Sequence, residues 1–551
     1  MSKKFAEKSQ RDLVDIDGEV LQGHTSEEFK ITIIGCGAAG VATLLAFLEY
    51  LPTKFNQKIT ITIFEKGPAF GPGFAYQCDN NELLMNMVSS TTSIFPNQKG
   101  DFWNWMLEKG CHIGGQQILS KSGVAPDRYI SRQFFGAYLK SQFEHGISSL
   151  EKLGVEIELI NLEVTNACVL GDNSFNVTFG KGYLRHFNCV ILCVGNTAPK
   201  DIFNLGEKSQ YINNPYPVNR YLQLIKSNDC VGIIGGQLTA ADIAVVLANQ
   251  GHKGPINFFT RDLYFPLTRC PIEKYDLQYL THINLEILKS KNRNGISVRQ
   301  IMRLARKEFL SAGITWNKFF KPSTKQYSSW VRSLLEGDED FSCWQNLAIA
   351  TDDVIGDYWN ALSDIEKHLF MNKFHRLWSA KRVPLPVHTV FKLYSLFSLG
   401  ILRHYPHLKG IDASVKNQFS VTVGNSKHPT LTTKVYCDWI INASGPSRDI
   451  SRVDSVLIKN LLESGLILRN PHGGIMLDYE SSRIKNNINR RLNNFYAIGH
   501  LTSGTYYFVS SLDMVSLRAR GVVRHLTESL SYDSNPQRCI SDFLYRGEYA
   551  S

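Results

Sequence analysis

A glycine-rich turn near the N-terminus, G-C-G-A-A-G at positions 35–40, has the residue types and spacing of a turn that holds a dinucleotide. Gly35 allows a sharp turn, Gly37 lets a pyrophosphate approach the backbone, and Gly40 lets the following helix pack closely against the strand. The N–H groups that begin such a helix lack partners and favour phosphate. The predicted pyrophosphate-binding residues are therefore Gly35, Gly37, Ala38, Ala39 and Gly40.

The neighbouring segments supply the elements that this turn needs. Residues 30–34 form a short β-branched run, and residues 41–48 are mostly apolar, which predicts a strand and then a helix. A second predicted strand, 58–64, ends at Glu65, where a carboxylate can accept the ribose hydroxyls of an adenosine. Glu65 and the adjacent Lys66 are therefore candidate cofactor-binding residues in a Rossmann-like α/β domain.

The loop that follows favours FAD over NAD as the bound dinucleotide. Residues 67–76 are rich in glycine and proline, which predicts a close-fitting loop rather than a further strand. The loop leads to L-L-M-N-M, in which Asn86 is the single polar residue. Asn86 is a candidate for hydrogen bonding to a flavin edge, and capping of a turn by the same amide is the alternative.

A second glycine turn begins at Gly235 and Gly236, again between a short apolar strand and a helix that includes Thr239. The next predicted strand ends on Arg261, and a cation at that point suits the 2′-phosphate of NADP(H). Gln237 stands where a second glycine is usual, and Asp262 is expected to offset part of the Arg261 charge. The turn therefore predicts an NADP(H) site, or a nucleotide-like domain that binds NADP(H) weakly or not at all.

Later apolar strands indicate that the first domain is discontinuous. Residues 189–196 and 438–446 are apolar runs that each lead to a glycine, which is Gly195 in the first. Residues 494–499 end at Gly499 and precede a last helix, whose N-terminus would face a flavin pyrimidine. The predicted organisation is a polar tail (1–28), an FAD domain (29–225 and 436–535), an NAD(P)-binding-like domain (226–275 and 375–435) and a helical insertion (276–374) that covers the flavin.

Composition restricts the class of protein. The 551 residues carry a formal charge of +10, with no basic run of the kind used for nucleic acid and no apolar run that would span a bilayer. The scattered cysteines show no metal-binding spacing and fit a cytoplasmic enzyme. The densest cation cluster, 375–386, contains Arg376 and Arg382 and predicts either recognition of an anionic substrate or a solvated basic loop before a helix.

Taken together, these segments resemble a family of FAD/NAD(P)-binding proteins that includes bacterial L-aspartate N-monooxygenases, which form nitrosuccinate, and a flavin-dependent urate hydroxylase. The resemblance runs from Phe29 to about Leu526 through I-I-G-C-G-A-A-G, F-E-K-G-P-A-F-G-P-G-F-A-Y, L-L-M-N-M, S-R-Q-F-F-G-A-Y-L, C-V-G-N and L-T-A-A-D-I-A. It adds Arg132, in the fourth of these motifs, to the expected cofactor-binding residues.

This resemblance implies bound FAD, NAD(P)H as reductant, molecular oxygen as co-substrate and hydroxylation of a small polar substrate through a flavin C4a-hydroperoxide. A NAD(P)H-dependent flavin reductase or dehydrogenase and a non-enzymatic flavin redox sensor are the alternatives. No catalytic acid or base is assigned from the sequence. His500 and Tyr506 follow the last strand and either approach the flavin or serve the fold.

Overall fold

The computed structural model describes residues 28–51, 57–109, 111–113, 116–119, 127–196, 198–262, 266–317, 339–413, 418–425, 431–487 and 491–533. The predicted tail therefore lies outside the described residues except for Glu28. Residues 318–338 of the predicted helical insertion also lie outside them.

Most strands belong to two parallel sheets and two antiparallel three-stranded sheets. In chain order the strands are β1 Glu28–Ile34, β2 Lys58–Phe64, β3 Cys111–Ile113, β4 Gln116–Leu119, β5 Glu156–Ile160, β6 Val164–Val169, β7 Phe175–Phe179, β8 Tyr183–Phe187, β9 Cys189–Leu192, β10 Tyr211–Ile212, β11 Val231–Ile234, β12 Ile256–Phe259, β13 Leu402–Tyr405, β14 Leu408–Asp412, β15 Phe419–Gly424, β16 Thr432–Cys437, β17 Trp439–Asn442, β18 Arg483–Lys485 and β19 Arg491–Ala497.

Some helices cover the sheets, and a separate group of helices lies in sequence between the strands β12 and β13 of the second sheet. In chain order they are α1 Ala38–Tyr50, α2 Asp101–Lys109, α3 Arg132–Lys152, α4 Val218–Leu222, α5 Leu238–Asn249, α6 His282–Lys291, α7 Val298–Ser311, α8 Glu339–Ala350, α9 Asp352–Ala361, α10 Asp364–Lys373, α11 His375–Arg382, α12 Val387–Ser398, α13 Val456–Glu463, α14 Ser503–Tyr506 and α15 Leu512–Asp533.

The first sheet has the order β18-β19-β9-β1-β2-β5 and is parallel except for the β18–β19 pair. Its central strands are buried along nearly their whole length, as expected for parallel strands covered on both faces. Side chains of α1, α3 and α15 pack in one core on this sheet. The β6–β8 sheet and α13 contribute to the core on the other face.

The second sheet, β10-β17-β11-β12-β13, repeats this plan with all neighbours parallel. In both halves a strand leads through a glycine turn into a buried helix and a second strand. A three-stranded antiparallel sheet then precedes the strand that returns beside the first: β6–β8 precede β9, and β14–β16 precede β17. The predicted α/β fold with two dinucleotide-binding-like domains is confirmed.

The sheet order moves two of the domain boundaries that we predicted. Tyr211–Ile212 and Trp439–Asn442 pair with each other in the second sheet, whereas both were assigned to the FAD domain. We therefore propose that the chain leaves the first domain between β9 and β10 and re-enters it between β17 and β18. In this proposal the two crossings would replace the boundaries predicted at 225 and 436.

The described part of the predicted insertion is helical and has its own core, in which Leu285, Val354, Tyr358 and Trp359 are buried. Its connection to the second sheet is fixed by buried Glu308, whose carboxylate accepts hydrogen bonds from Tyr275 Oη and from three backbone N–H groups at 278–280. Within the described residues, no helix is both long enough and apolar enough to cross a membrane.

Candidate dinucleotide and substrate sites

Four of the predicted cofactor residues meet at the carboxyl edge of the first sheet. Gly35 follows β1, Glu65 follows β2, Gly195 lies beyond β9, and Gly499 lies beyond β19. Because these four strands are parallel, their ends face the same edge, where ligands of open α/β sheets bind. Gly35, Gly195 and Gly499 all have positive φ, which glycine adopts without strain.

The three glycines of the first turn are required for different reasons. A Cβ at Gly35 would lie 2.4 Å from the Cys193 carbonyl oxygen, and a Cβ at Gly40 would lie 2.2 Å from the Gly35 carbonyl oxygen. The fold itself therefore excludes side chains at both positions. A Cβ at Gly37 would make ordinary contacts with Gly73, at 3.4 Å from its Cα and 4.0 Å from its N, and Gly37 has negative φ. The fold does not explain glycine at position 37, whereas close approach of a pyrophosphate does.

Glu65 is held beside this turn by both of its carboxylate oxygens. Oε2 accepts from Cys36 N at 2.8 Å, and Oε1 accepts from Gly67 N at 2.7 Å. Each carboxylate oxygen has a further lone pair, so a ribose diol can be accepted without displacing these bonds. Lys66 points elsewhere, since its ammonium pairs with exposed Glu163 at 3.2 Å.

The second turn copies the backbone of the first and differs in one side chain. Gly235 has positive φ, and a Cβ there would lie 2.6 Å from the Ala443 carbonyl oxygen. Gly236 is buried, and Thr239 lies in the first turn of α5. Gln237 is the N-cap with φ −106° and ψ −156°, close to the −88° and −161° of Gly37. Its side chain is exposed, whereas Gly37 at the same point of the first turn has none.

Replacing Gln237 by glycine is therefore expected to tighten NADPH binding about tenfold, which corresponds to relief of about 1.4 kcal/mol of crowding. The backbone conformation suits either residue, so the fold should not change. Rapid anaerobic mixing of the oxidised protein with a series of NADPH concentrations measures the effect as the concentration that half-saturates the rate of flavin reduction, and Gln237→Ala should fall between the two. Equal or weaker binding by Gln237→Gly would show that the side chain does not obstruct the site.

The cation at Arg261 has a second cation near it, from a distant segment. Arg261 is exposed, and the neighbouring Asp262 accepts a hydrogen bond from Arg376 Nη1 at 2.9 Å. Burial, together with the charges of Arg448, Arg376 and Arg261, lowers the pKa of His375 to about 4. The charge of Asp262 is thus shared with Arg376, and the two guanidiniums form a cationic surface suited to a 2′-phosphate.

Arg132 joins the two domains in this structure. Its Nη2 donates to Asp242 Oδ2 at 2.7 Å, Nη1 donates to Tyr216 Oη at 3.3 Å, and Nε donates to the Leu84 carbonyl at 3.2 Å. Burial raises the pKa of Asp242, and Arg132 and Tyr216 act in the opposite direction. Since Asp242 lies in α5, we assign Arg132 a positioning role between the domains. Direct cofactor contact by Arg132 stays a prediction.

Replacing Arg132 by methionine is expected to lower the free energy of unfolding by about 3 kcal/mol, because the Asp242 carboxylate would be left buried without its cation. The double variant Arg132→Met/Asp242→Leu should recover most of that loss. Urea unfolding measures both. Lys289→Met, which removes an exposed ion pair with Glu286, is the matched control and should change stability little. A loss in Arg132→Met no larger than in this control would contradict the assignment.

The cation segment at 375–386 is mostly the helix α11, so the interpretation as a solvated basic loop is wrong. Arg382, at its end, has a side chain only 4% exposed and pairs with Asp352 at the start of α9. Its Nε and Nη1 have no hydrogen-bond partner among the described residues. Phe508 stacks on the guanidinium at 4.6 Å. Buried N–H donors without acceptors are costly, and an acceptor placed beside Arg382 would remove that cost.

A second buried guanidinium, Arg269, lies near Arg382. Arg269 Nε donates to the Asn86 carbonyl at 3.0 Å. Burial and the Arg382 charge together lower the pKa of Arg269 to about 10, although the charges of Tyr129 and Asp352 act in the opposite direction. Burial raises the pKa of Asp352, and so does the charge of Asp513, in the first turn of α15. We call Arg269, Arg382 and Asp352 the arginine cluster; it lies between the Asn86 loop and the start of the last helix.

Several candidate residues have structural contacts instead. Tyr506 is fully buried, and its hydroxyl bonds to Ser482 Oγ at 2.6 Å and to the Tyr479 carbonyl at 2.8 Å, so it belongs to the core. His500 Nε2 contacts the Ser447 carbonyl at 2.9 Å, and burial lowers the pKa of His500. The Asn86 side chain is half-buried, which leaves both of its predicted roles open.

Comparison with known proteins supports the architecture. Residues 32–197 match a family described as FAD-NAD(P)-binding. No curated protein matches the chain. Solved structures that resemble it include the FAD-bound cadaverine monooxygenase of desferrioxamine biosynthesis from Erwinia amylovora, with 12% identity, coverage of 90% of this chain and 94% of that chain, and a TM-score of 0.56.

Alignments with two further solved structures cover nearly the whole of this chain and of the other protein. L-lysine 6-monooxygenase from Pseudomonas syringae is 13% identical over 91% of this chain and 99% of that chain, with a TM-score of 0.55. An ornithine N-hydroxylase from Kutzneria sp. 744, with reduced FAD, NADP⁺ and L-ornithine, is 14% identical over 92% and 99%, with a TM-score of 0.52. At these identities the likeness shows the shared fold. Residues 32–197 are thus similar to the FAD-NAD(P)-binding family, in a chain with the fold of two-dinucleotide-binding-domain flavoproteins.

Proposed function

We propose that this protein is an FAD-dependent monooxygenase that uses NAD(P)H and molecular oxygen to hydroxylate a small polar amine carrying a carboxylate. The observation that carries the proposal is the arginine cluster, which offers unpartnered buried N–H groups between the Asn86 loop and the last helix. Three proteins of the same fold are named for hydroxylation or monooxygenation of cadaverine, lysine and ornithine, which are amines.

The first turn fits FAD as a resident group. Gly37 leaves space for a pyrophosphate that the fold does not otherwise require, and Glu65 retains lone pairs for a ribose diol. When bound, FAD would supply electron transfer from NAD(P)H to oxygen. The chain's own residues would orient the group: the N-terminus of α1 would face the phosphates, and Asn86 would contact the flavin ring.

The second turn fits a transient nucleotide better than a resident one. Gln237 narrows the phosphate site, while Arg261 and Arg376 provide cations for a 2′-phosphate. NADPH is therefore the proposed reductant. Weak binding would suit a co-substrate that must leave after each turnover.

The proposed substrate carries both an amine and a carboxylate, and the carboxylate would bind at Arg382. The cluster holds two buried guanidiniums and one carboxylate, so Asp352 leaves one positive charge without a counter-ion. A substrate carboxylate that entered beside Arg382 would supply that counter-ion, and the cation it met would already be desolvated. The ring of Phe508 covers the guanidinium and would have to move. An α-amino acid meets both requirements, and the resemblance to L-aspartate N-monooxygenases makes aspartate the first compound to test. A cytoplasmic location stays a prediction.

The test is anaerobic mixing of the flavin-loaded protein with NADPH or NADH, followed by oxygen and a panel of amino acids, diamines and urate. We expect faster reduction by NADPH, and a hydroxylated product from a carboxylate-bearing amine. Rapid reduction with only hydrogen peroxide formed would favour the reductase alternative. Failure of both nucleotides to reduce the flavin would contradict both enzyme functions and favour a redox sensor.

A further inference from the structure

Two cysteines lie side by side at the amino-terminal edge of the second sheet, opposite the edge with the glycine turn. Cys230 directly precedes β11, and Cys437 ends β16 just before β17. The two strands that follow are parallel neighbours, with Val231 opposite Trp439. The Asp438 N–H donates to the Cys230 carbonyl at 2.8 Å and holds the two backbones together. The Sγ atoms are 3.9 Å apart.

A buried amide contacts both sulfurs. Asn257 Nδ2 lies 3.2 Å from Cys230 Sγ and 3.8 Å from Cys437 Sγ, so one side chain from β12 bridges the thiols. Gly232 makes room for them, since a Cβ there would lie 3.1 Å from Cys437 Sγ. Hydrogen bonding by Cys437, and also by Asn257, lowers the pKa of the Cys230 thiol.

Exposure separates the roles of the two thiols. Cys230 is half-buried and can be reached by a small solute, whereas Cys437 is buried. The Cys230 thiol also donates to the Tyr436 carbonyl at 3.2 Å, which keeps it against the strand that carries Cys437. An accessible thiol with a lowered pKa beside a buried second thiol is the arrangement of an attacking and a resolving cysteine.

We propose that Cys230 and Cys437 form a peroxide-reactive dithiol site that closes to a disulfide. The Cys230 thiolate attacks one oxygen of hydrogen peroxide, the O–O bond breaks, a sulfenic acid forms and the hydroxide leaves as water after taking a proton. The Cys437 sulfur then attacks the sulfenyl sulfur, the S–S bond forms and a second water leaves. Two thiols and one peroxide thus yield one disulfide and two waters, and a thiol reductant reverses the change.

Added hydrogen peroxide provides a test that does not depend on the proposed function. The full-length protein is oxidised, alkylated under denaturing conditions and mapped by mass spectrometry. We expect loss of two alkylatable thiols, a linked pair of peptides containing Cys230 and Cys437, and recovery with dithiothreitol. In Cys437→Ser, a dimedone-trapped sulfenic acid should accumulate at Cys230. In Cys230→Ser, Cys437 should stay alkylatable.

Exposed Cys78 and Cys168 serve as internal references, because among the described residues their sulfur atoms contact amide side chains and no second sulfur. They should oxidise more slowly than Cys230 and without forming a link to Cys437. Cys168→Ser is the matched control variant and should form the 230–437 link at the wild-type rate. The proposal would be overturned if Cys230 and Cys437 remained alkylatable while Cys78 and Cys168 were oxidised, or if Cys230 over-oxidised without a link.

Discussion

Gly37→Ala is expected to give a folded protein that does not retain FAD. The added Cβ finds an ordinary 3.4 Å contact with Gly73 Cα, and the backbone at position 37 is extended, so the fold has no reason to reject alanine. A pyrophosphate bound against the turn would instead collide with the added Cβ. Crowding of about 3 kcal/mol corresponds to a rise of about a hundredfold in the Kd for FAD.

Flavin absorbance per protein after gel filtration measures retention, and circular dichroism measures the fold. Gly171→Ala is the matched control, because a Cβ there meets nothing within 4 Å, and it should keep its flavin. Gly40→Ala should instead fail to fold correctly, since its Cβ would lie 2.2 Å from the Gly35 carbonyl oxygen. Full flavin content in Gly37→Ala would contradict the assignment of this turn to the pyrophosphate.

Arg382→Met is expected to raise the KM for a carboxylate-bearing substrate about a hundredfold, because truncating one partner of a buried charge pair costs about 3 kcal/mol. The rate of flavin reduction by NADPH should change little. The matched control is Arg376→Met on the same helix, which should weaken NADPH binding and leave the substrate KM unchanged. Equal effects of the two variants on substrate KM would contradict a substrate role for Arg382.

The ion pair between Arg382 and Asp352 predicts that anion binding depends on pH. Burial raises the pKa of Asp352 to about 6, although Arg382 opposes the shift. As pH falls through about 6, Asp352 takes up a proton and stops neutralising Arg382. Methanesulfonate, used as a probe because it stays ionised over this range, should therefore bind more tightly below pH 6 than above it. Asp352→Asn should bind methanesulfonate tightly on both sides of pH 6 and lose this dependence, and calorimetric titration measures both proteins. Identical pH profiles would contradict the prediction.

The first dinucleotide site could be predicted because its signal is local. Turn 35–40, the strands on either side of it and Glu65 are close in sequence, and the glycine spacing specifies the geometry directly. The placement of β17 could not be predicted in the same way. Its apolar run W-I-I-N suits a buried strand of either sheet, and its sheet is decided by pairing with β10 and β11, which are distant in sequence.

The arginine cluster shows the same limit for charged residues. Arg382 could be singled out from a dense cation segment, but its burial depends on Asp352, which the fold brings from α9. Arg269 stands in no motif and becomes a candidate only once its contact with the Asn86 carbonyl is seen. Asp262, expected to weaken the Arg261 site, pairs with Arg376 instead, because α11 lies beside the end of the second sheet.

Turnover under isotopically labelled oxygen tests the central claim most directly. The flavin-loaded protein is supplied with NADPH and a panel of carboxylate-bearing amines, and products are analysed by mass spectrometry alongside hydrogen peroxide. The account predicts one labelled oxygen atom in a hydroxylated product, NADPH consumed in equal amount, and loss of that product in Arg382→Met. Rapid NADPH oxidation with no label in any organic product, and all electrons recovered as hydrogen peroxide, would contradict it.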